Sequence, residues 1–514
     1  MAESALMSTA AAERTLSVAL SSELDGRLRG HLARPDGQED LTFALYQWST
    51  GATRDTGLLV DLVPPEDGDR FIHGNASFAA QYFLRAAGIA AHRDCGLALL
   101  HAHPGATSWQ GLSAADHAAE SGHARQAQVL TGQPLLGLTY ASGDGTYSAR
   151  LWPVDDVPPG TAPAPRWART VRSVGSRIQL SSNPAFAAPS SANSRTIRTV
   201  HAWGPATHDQ LTRLRVGVIG AGSVAQLVAE GLARTGFSNI TLVDFDSIEE
   251  HNLDRLLHAT TADIGRAKVA VLAERLSRDA VADSLTVTAL ESSVVEADGW
   301  LEALDCDVLF SCVDRPWPRF ALNVAAYAHL IPVVDGGVAV DVRDPGSDHP
   351  YLRGAEWRTH MVAPGRKCLE CLGQYDPADV SLERAGLLDD ESYIRSLPPG
   401  HRLRQRENVF AFSMACAAAE LLELFRAVAQ PSAIPDVGAA LTHWATSTTR
   451  LDTGDCAARC PFQHDLLATG DRAQVDVTGA HPAAERARAS RAHVPAPHQL
   501  RWARLLHRRW RAHA

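Results

Sequence analysis

The chain has 514 residues, 45% of them hydrophobic and 21% charged, with a formal net charge of −10. That length exceeds one ordinary core and predicts two or three domains, while the acidic balance argues against a nucleic-acid partner, which needs a basic surface. A secretory signal and an apolar run long enough to cross a membrane are both missing from the pattern, so the expectation is a cytoplasmic protein with no membrane partner.

Residues 1–155 read as a mixed α/β domain, with strands at Leu41–Trp48 and Gly96–His103 and a helix over Ser113–Leu130. Residues two apart on a strand share a face, so His101 and His103 can present both imidazoles to one ion. Asp116, early in the next helix, supplies a third ligand and leaves a fourth position for water, as catalytic zinc requires. Glu39 is the candidate general base and Ser113 a candidate hydrogen-bond donor to an oxyanion. Two plainer readings stand beside this one. A chain with 22 His produces His-x-His by chance, and Ser113-x-x-Asp116 is also a variant of the helix capping box.

Residues 156–205 read as a linker rich in Pro, Ala and Ser. They contain an echo, RTVRSV at 169–174 and RTIRTV at 195–200. Residues 206–514 carry a βαβ pattern, with strands at Arg215–Ile219, Ile240–Asp244, Val308–Cys312 and Pro332–Asp335. Helices are expected over Val224–Thr235 and Lys268–Arg278, which makes a doubly wound sheet with its crevice at the carboxyl ends of the strands. Gly220-Ala-Gly222-Ser-Val-Ala225 suits a phosphate facing a helix N-terminus, but that signal also marks NAD enzymes. Asp244 suits a ribose in either case. Asp246, Asn252, Arg255 and Lys268 add charges that a hydride-transfer site does not need, and Asp314 suits Mg²⁺. Lys268 and Lys367 are the two lysines of the chain, so a Lys inside this motif points to a chemical requirement.

Residues 372–408 read as a polar crossing loop and Val409–Ala427 as an apolar helix that buries Cys416. Cys368-Leu-Glu-Cys371 and Cys456-Ala-Ala-Arg-Cys460 suit a structural zinc site, the plainer alternative being free buried thiols. Cys95, Cys306, Cys312 and Cys416 read as packed side chains, so a dedicated thioester cysteine is not expected. The last residues, RWARLLHRRWRAHA, read as a basic amphipathic helix.

On Glu39, His101, His103, Ser113 and Asp116, the first 155 residues resemble the JAMM (JAB, MPN-plus) metallopeptidases. The resemblance implies a catalytic zinc on His101, His103 and Asp116, with Glu39 as base, in an enzyme that trims or removes ubiquitin-like proteins. The run from His103 to Asp116 is slightly longer than the family's usual one. From about Arg198 to Cys460 the chain resembles the ThiF, MoeB and ubiquitin-activating enzymes. That implies a Rossmann-like ATP site in which Gly220 and Gly222 shape the phosphate loop and Asp244 binds ribose. Asn252, Arg255 and Lys268 would meet the triphosphate, Asp314 would hold Mg²⁺, and the four cysteines would hold zinc. It also implies a homodimer, a small ubiquitin-like or sulfur-carrier protein as partner, and an arginine inserted into the neighbouring copy, for which Arg198 and its echo Arg172 both qualify. Leu256 departs from the Gln usual at that place. The joint expectation is a bifunctional enzyme. The alternatives are adenylation of a peptide or small-molecule carboxylate, and a nucleotide-binding scaffold with a silent metal domain.

Overall fold

Short runs of Val, Leu and Ala, buried along most central strands, build two large sheets among the described residues. The computed structural model describes residues 14–154, 164–186, 194–343, 349, 351–397, 407–429 and 436–492. The first sheet uses β1 (Thr15–Ser21), β2 (Leu41–Thr50), β3 (Arg54–Val63), β6 (Gly96–His103), β7 (Leu135–Ala141), β8 (Thr146–Trp152), β9 (Arg166–Trp167), β10 (Thr170–Val174) and β11 (Ile178–Ser182). Their order is β11-β10-β1-β3-β2-β6-β7-β8-β9, and β4 (Arg70–His73) pairs apart with β5 (Asn75–Phe78). The sheet curls until its two ends meet, with the Tyr147 amide of β8 donating to Ser181 Oγ of β11 at 3.0 Å. Leu16, Val18, Leu20, Leu138, Tyr147 and Val171 fill its inside. α1 (Ser22–Leu32), α2 (Ala80–His92) and α3 (Ala114–Thr131) complete this unit, and α2 and α3 share a second core around Phe43, Tyr82 and Trp152.

Part of the stretch expected to be linker is therefore sheet. Pro, Ala and Ser on either side of 166–182 hid a short apolar alternation, in which Val171, Val174 and Ile178 are buried. β10 pairs in parallel with β1 and antiparallel with β11.

The second unit runs through α4 (Ile197–Trp203), α5 (Pro205–Thr212), β12 (Arg215–Ile219), α6 (Ser223–Thr235), β13 (Asn239–Val243), α7 (Lys268–Asp279), β14 (Thr286–Leu290) and α8 (Ala297–Leu304). It continues through β15 (Val308–Ser311), α9 (Pro316–Ala328), β16 (Val333–Arg343), β17 (Tyr351–Val362), α10 (Pro377–Arg384), α11 (Glu391–Ser396), α12 (Phe410–Ala429), β18 (Ala439–His443), β19 (Thr448–Asp452), α13 (Pro461–His464) and α14 (Pro482–Ala492). The strand order is β14-β13-β12-β15-β16-β17-β18-β19. β14 to β16 are parallel, and β17 to β19 continue the sheet antiparallel. The order reverses between β12 and β15, which is where a doubly wound sheet opens its ligand crevice. The expected crossing loop carries two short helices. Asp376 and Asp390 cap them by accepting the amides of Ala378 and Ser392, both at 2.8 Å.

The turn between β2 and β3 plugs into the amino-terminal edge of the second sheet. Thr53 donates to Asp305, Thr50 to Asp471 at 2.6 Å, and Ser49 Oγ meets His329 Nδ1 at 2.8 Å. A Cβ at Gly51 would overlap the Asp305 carboxylate, so the closeness of this fit requires glycine there. Among the described residues, no helix is long and apolar enough to cross a membrane. The expected basic helix at 501–514 lies outside the described residues.

Candidate functional site

A cavity of about 1030 Å³ opens at the carboxyl ends of β12, β13 and β15. Gly220, Gly222, Asp244, Asp246, Asn252, Arg255, Lys268 and Asp314, the residues expected from the sequence, all line it. Gly220 has φ +99°, and a Cβ there would lie 2.6 Å from the Cys312 carbonyl oxygen. Both constraints exclude larger residues. Gly222 precedes α6 with no side-chain cap, so the first amides of that helix face the cavity as anion donors.

Asp244 directly follows β13 and accepts the amides of Ala221 and Asp246, each at 2.6 Å, which ties the glycine loop to the acidic loop. Burial raises its carboxyl above the ordinary range, and the nearby Lys268 charge opposes that. Lys268 Nζ donates to Asp246 Oδ2 at 2.8 Å. Burial works against its ammonium, but Asp244 and Asp246 raise it overall, so it stays cationic. Asn252 accepts the Glu249 amide at 3.1 Å and so also closes its own turn. Arg255 donates to the His251 carbonyl at 2.6 Å. Leu256, which departs from the usual Gln, packs with Ile248 and Val271 in a small apolar cluster, which accounts for an aliphatic residue at this place.

Several cavity groups carry no motif. Arg319 and Arg358 reach Asp335, whose carboxylate also accepts from Ser311 Oγ at 2.7 Å. Arg358 comes from an antiparallel strand without signature residues; Val-Val-Asp335 at a strand end was the one available cue. Arg315, beside Asp314, pairs with Asp389 at 2.6 Å and fastens the segment around α10 and α11 to the cavity's rim. Cys312 lines the cavity, and burial pushes its thiol up. The same cause raises Cys306 to about 12 and lifts Cys416 and Cys95. None of the four is a ready thiolate.

Cys368, Cys371, Cys456 and Cys460 converge, with all four Sγ atoms within 4.8 Å of one another. Backbone amides of Cys368 and Cys371 point at Cys456 Sγ and Cys368 Sγ, at 3.1 and 3.3 Å. Four sulfurs so placed fit a tetrahedral metal. The cluster ties the segment before α10 to the segment before α13.

In the first unit, ligand atoms of His101, His103 and Asp116 also lie within 4.8 Å of one another. His101 Nε2 is 3.5 Å from Asp116 Oδ1, and His103 Nε2 is 3.5 Å from Asp116 Oδ2. The two imidazoles and one carboxylate fit a zinc ion with an open position. Burial raises the Glu39 carboxyl, and Asp116 adds to this against His103, so Glu39 lies within electrostatic reach of both. Ser113 is the N-cap of α3: its Oγ accepts the Asp116 amide at 3.1 Å while Asp116 Oδ2 accepts the Ser113 amide at 3.0 Å. The capping box and the metal-ligand reading thus use the same two residues. Of the two candidate arginines, Arg172 is buried against Asp307, and Arg198 is exposed on α4.

Residues 193–444 match the ThiF family. The chain is 32% identical over 129 residues to tRNA threonylcarbamoyladenosine dehydratase of Escherichia coli K12, covering 25% of this chain and 47% of that protein. It is 28% identical over 122 residues to the molybdopterin-synthase adenylyltransferase of the same organism, covering 24% and 48%. To ubiquitin-like modifier-activating enzyme 5 of Aedes aegypti it is 27% identical over 142 residues, covering 26% and 36%. The chain spans about half or less of the length of these relatives. The solved structure of E. coli MccB with ATP superposes with a TM-score of 0.37 at 16% identity, covering 52% of this chain and 74% of that one. The stretch that matches the ThiF family contains all eight of the cavity residues expected from the sequence.

Proposed function

We propose that the chain is a bifunctional enzyme: an ATP-dependent adenylyltransferase for a C-terminal carboxylate, joined to a zinc-dependent peptidase. The convergence of Gly220, Asp244, Arg255, Lys268 and Asp314 in one cavity is the observation that carries the first half. The substrate would be the tail of a small ubiquitin-like or sulfur-carrier protein, in keeping with the names of two of the relatives. A carboxylate oxygen of that tail would attack the α-phosphorus of ATP, forming an acyl adenylate as pyrophosphate leaves. The Gly222 amide and the first amides of α6 would cradle phosphate, Gly220 would shape the turn, and Asp244 would accept from the ribose hydroxyls. Asn252, Arg255 and Lys268 would hold the triphosphate. Asp314 and Asp246 face the same space, and Asp314 would hold Mg²⁺, which offsets negative charge on the departing pyrophosphate. With Cys95, Cys306 and Cys416 buried, and the Cys312 thiol at the cavity wall held protonated, the adenylate would pass to an external acceptor. The enzyme would act as a homodimer, with Arg198 offered to the neighbouring copy.

For the first unit, His101, His103 and Asp116 would hold the zinc, which polarises a scissile carbonyl and acidifies water. Glu39 would take the proton and return it to the leaving amine. The capping bond uses Ser113 Oγ as an acceptor, which leaves its O–H able to donate to an oxyanion. This half rests on the grouping of four expected side chains, Glu39 among them, at one end of β2 and β6.

The decisive assay is ATP–pyrophosphate exchange with a purified ubiquitin-fold protein ending in Gly-Gly. Exchange that requires the partner supports the reading. Exchange driven equally by free peptides or small acids moves the substrate to those classes. If neither exchange nor nucleotide binding occurs, the adenylation reading fails.

A further inference from the structure

Helix α14 packs behind the wall of the nucleotide cavity and grips one of its peptides. Arg491, in the last turn of that helix, donates from Nη1 to the Phe245 carbonyl at 2.7 Å and to Ser247 Oγ at 3.1 Å. Its Nη2 lies 3.5 Å from Glu291 Oε2. The Phe245 ring meets the His481 ring edge-on, with centroids 5.1 Å apart. His481 directly precedes α14 and is itself fixed. It has no solvent exposure, its Nε2 is 3.0 Å from Glu383 Oε1, and the Trp317 ring lies 5.6 Å from its own. Phe245 is thus held twice, by its ring and by its carbonyl.

The peptide between Phe245 and Asp246 links this grip to the site. Its carbonyl accepts from Arg491, and its N–H donates to Asp244 Oδ1 at 2.6 Å. A planar trans peptide points those two groups in opposite directions, so fixing the carbonyl aims the N–H. That N–H orients one oxygen of the carboxylate that would meet the ribose hydroxyls, while the Ala221 amide holds the other. Asp246, on the far side of the same peptide, accepts from Lys268. A second arginine of α14 braces the neighbouring wall. Arg488 forks onto Glu296 at 2.9 and 2.5 Å, and Glu296 accepts from Ser292 Oγ and the Ser293 amide, both at 3.0 Å. Ser292 and Ser293 line the cavity together with Phe245. Arg486 anchors the helix elsewhere, by pairing with Asp389.

We infer that Arg491 is a positioning residue for nucleotide recognition: it holds the Phe245–Asp246 peptide so that Asp244 keeps the orientation in which it accepts from the ribose. This deepens the adenylation reading and rests on it. Charge alone predicts something different. A cation at this place would favour any triphosphate, with or without ribose hydroxyls. A peptide held in place favours only a nucleotide whose hydroxyls Asp244 can reach. The ratio of two affinities therefore separates the two effects.

The experiment titrates the full chain with ATP and with 2′,3′-dideoxy-ATP by calorimetry, both with Mg²⁺. The wild-type chain should bind ATP at least about tenfold more tightly, since the dideoxy nucleotide lacks the hydrogen bonds to a carboxylate. Arg491→Met should weaken ATP about tenfold and leave the dideoxy nucleotide within about threefold of its wild-type value. Arg486→Met, which cuts a different anchor of the same helix, should keep the wild-type ratio. Asp244→Asn sets the reference by erasing the ratio. If Asp244→Asn erases it while Arg491→Met keeps it, the positioning role is overturned and the nucleotide site stands. If Arg491→Met weakens both nucleotides equally, or Arg486→Met also erases the ratio, charge or helix docking is the cause and the role is overturned likewise. Should Arg491→Met fail to fold, Arg491→Lys carries the same test, because it keeps the cation and shortens the reach to the carbonyl. If Asp244→Asn leaves the ratio unchanged, the ribose assignment falls and the inference with it. If the wild-type chain binds neither nucleotide, the adenylation reading itself falls.

Discussion

Arg54 of the first unit donates from Nη1 to Asp307 Oδ1 of the second at 2.6 Å, with both side chains at most 2% exposed. Arg172 reaches the same oxygen, while Asp307 Oδ2 accepts the Arg215 amide at 2.9 Å. Two arginines and one aspartate thus form the buried join between the units. The carboxyl of Asp307 is held well below the usual range. Burial alone would raise it, but the Arg54 and Arg172 charges outweigh burial. Removing its charge leaves two guanidiniums out of water, so Asp307→Asn should cost about 3–5 kcal/mol. Replacing all three side chains by apolar ones of similar volume should cost far less. Urea denaturation of both variants checks this; equal loss in the two would mean that packing, not charge, governs the join.

The same join predicts an acid-sensitive contact. Burial pushes the His329 imidazole down to about 3, and the neutral ring meets Ser49 Oγ. Its pKa in the folded chain lies below the unfolded value near 6.5. The unfolded chain therefore takes up a proton first as pH falls, and the native state loses relative stability below about pH 6.5. At about 1.4 kcal/mol per pH unit, this group contributes a loss of about 2 kcal/mol between pH 6.5 and pH 5. His329→Gln should flatten that slope. Parallel wild-type and variant melting curves across this pH range would show the idea to be wrong.

Much of the second unit was legible in the sequence because its signals are local. A glycine turn, a strand-end Asp and a Lys at a helix start each sit beside the backbone that places them. The four cysteines were legible from spacing. What was not legible is non-local or composition-masked. Strands 166–182 hide between Pro- and Ser-rich flanks, and Arg172 looked like half of a repeat until its pairing partner, 135 residues away, could be seen. Arg319, Arg358 and Arg150 are arginines among many, and only the fold shows that each faces a buried acid. Ser113 illustrates an ambiguity that was real: its helix cap and its place beside Asp116 coexist.

Within the cavity, Lys268 offers the cleanest single change. It is cationic and partnered by Asp246, and α7 begins with it, so Lys268→Met should leave the helix in place. Loss of one charge-stabilising donor costs on the order of 10²–10³ in rate. We expect pyrophosphate exchange to fall by about that factor while nucleotide protects against proteolysis at higher concentration only. Exchange within about threefold of wild type would remove Lys268 from the triphosphate.

Metal content gives an independent check. The four-cysteine set and the His101, His103 and Asp116 set predict two zinc ions per chain, one lost in Cys371→Ser and the other in His103→Ala. The cysteine change should also lower stability, since a structural zinc ties two distant segments. Elemental analysis beside thermal melts resolves the two cases. A wild-type chain with a single zinc that Cys371→Ser removes would leave the first unit a silent metal fold.

The positions of the two candidate sites make a last prediction about order. His101 pairs with Leu41, at the opposite end of β2 from the docked Thr50, roughly 30 Å away at about 3.3 Å per residue. The nucleotide cavity opens at the carboxyl ends of β12 and β15, whereas Asp307 and Arg215 mark their amino ends. Neither site faces the join, where Arg54 and Arg172 meet Asp307. Under the proposed activities, a tail cut at one site would have to leave before it is adenylated at the other. Mixing His103→Ala with Asp314→Ala chains should restore the full sequence from a tail-blocked partner to adenylate, since each chain supplies the step that the other lacks. Trimmed partner should also accumulate free in solution before adenylate forms, and added unlabelled trimmed partner should dilute the product. A wild-type chain that gives product without a lag, undiluted by that competitor and not reproduced by the mixture, would mean that the tail passes between the sites without release.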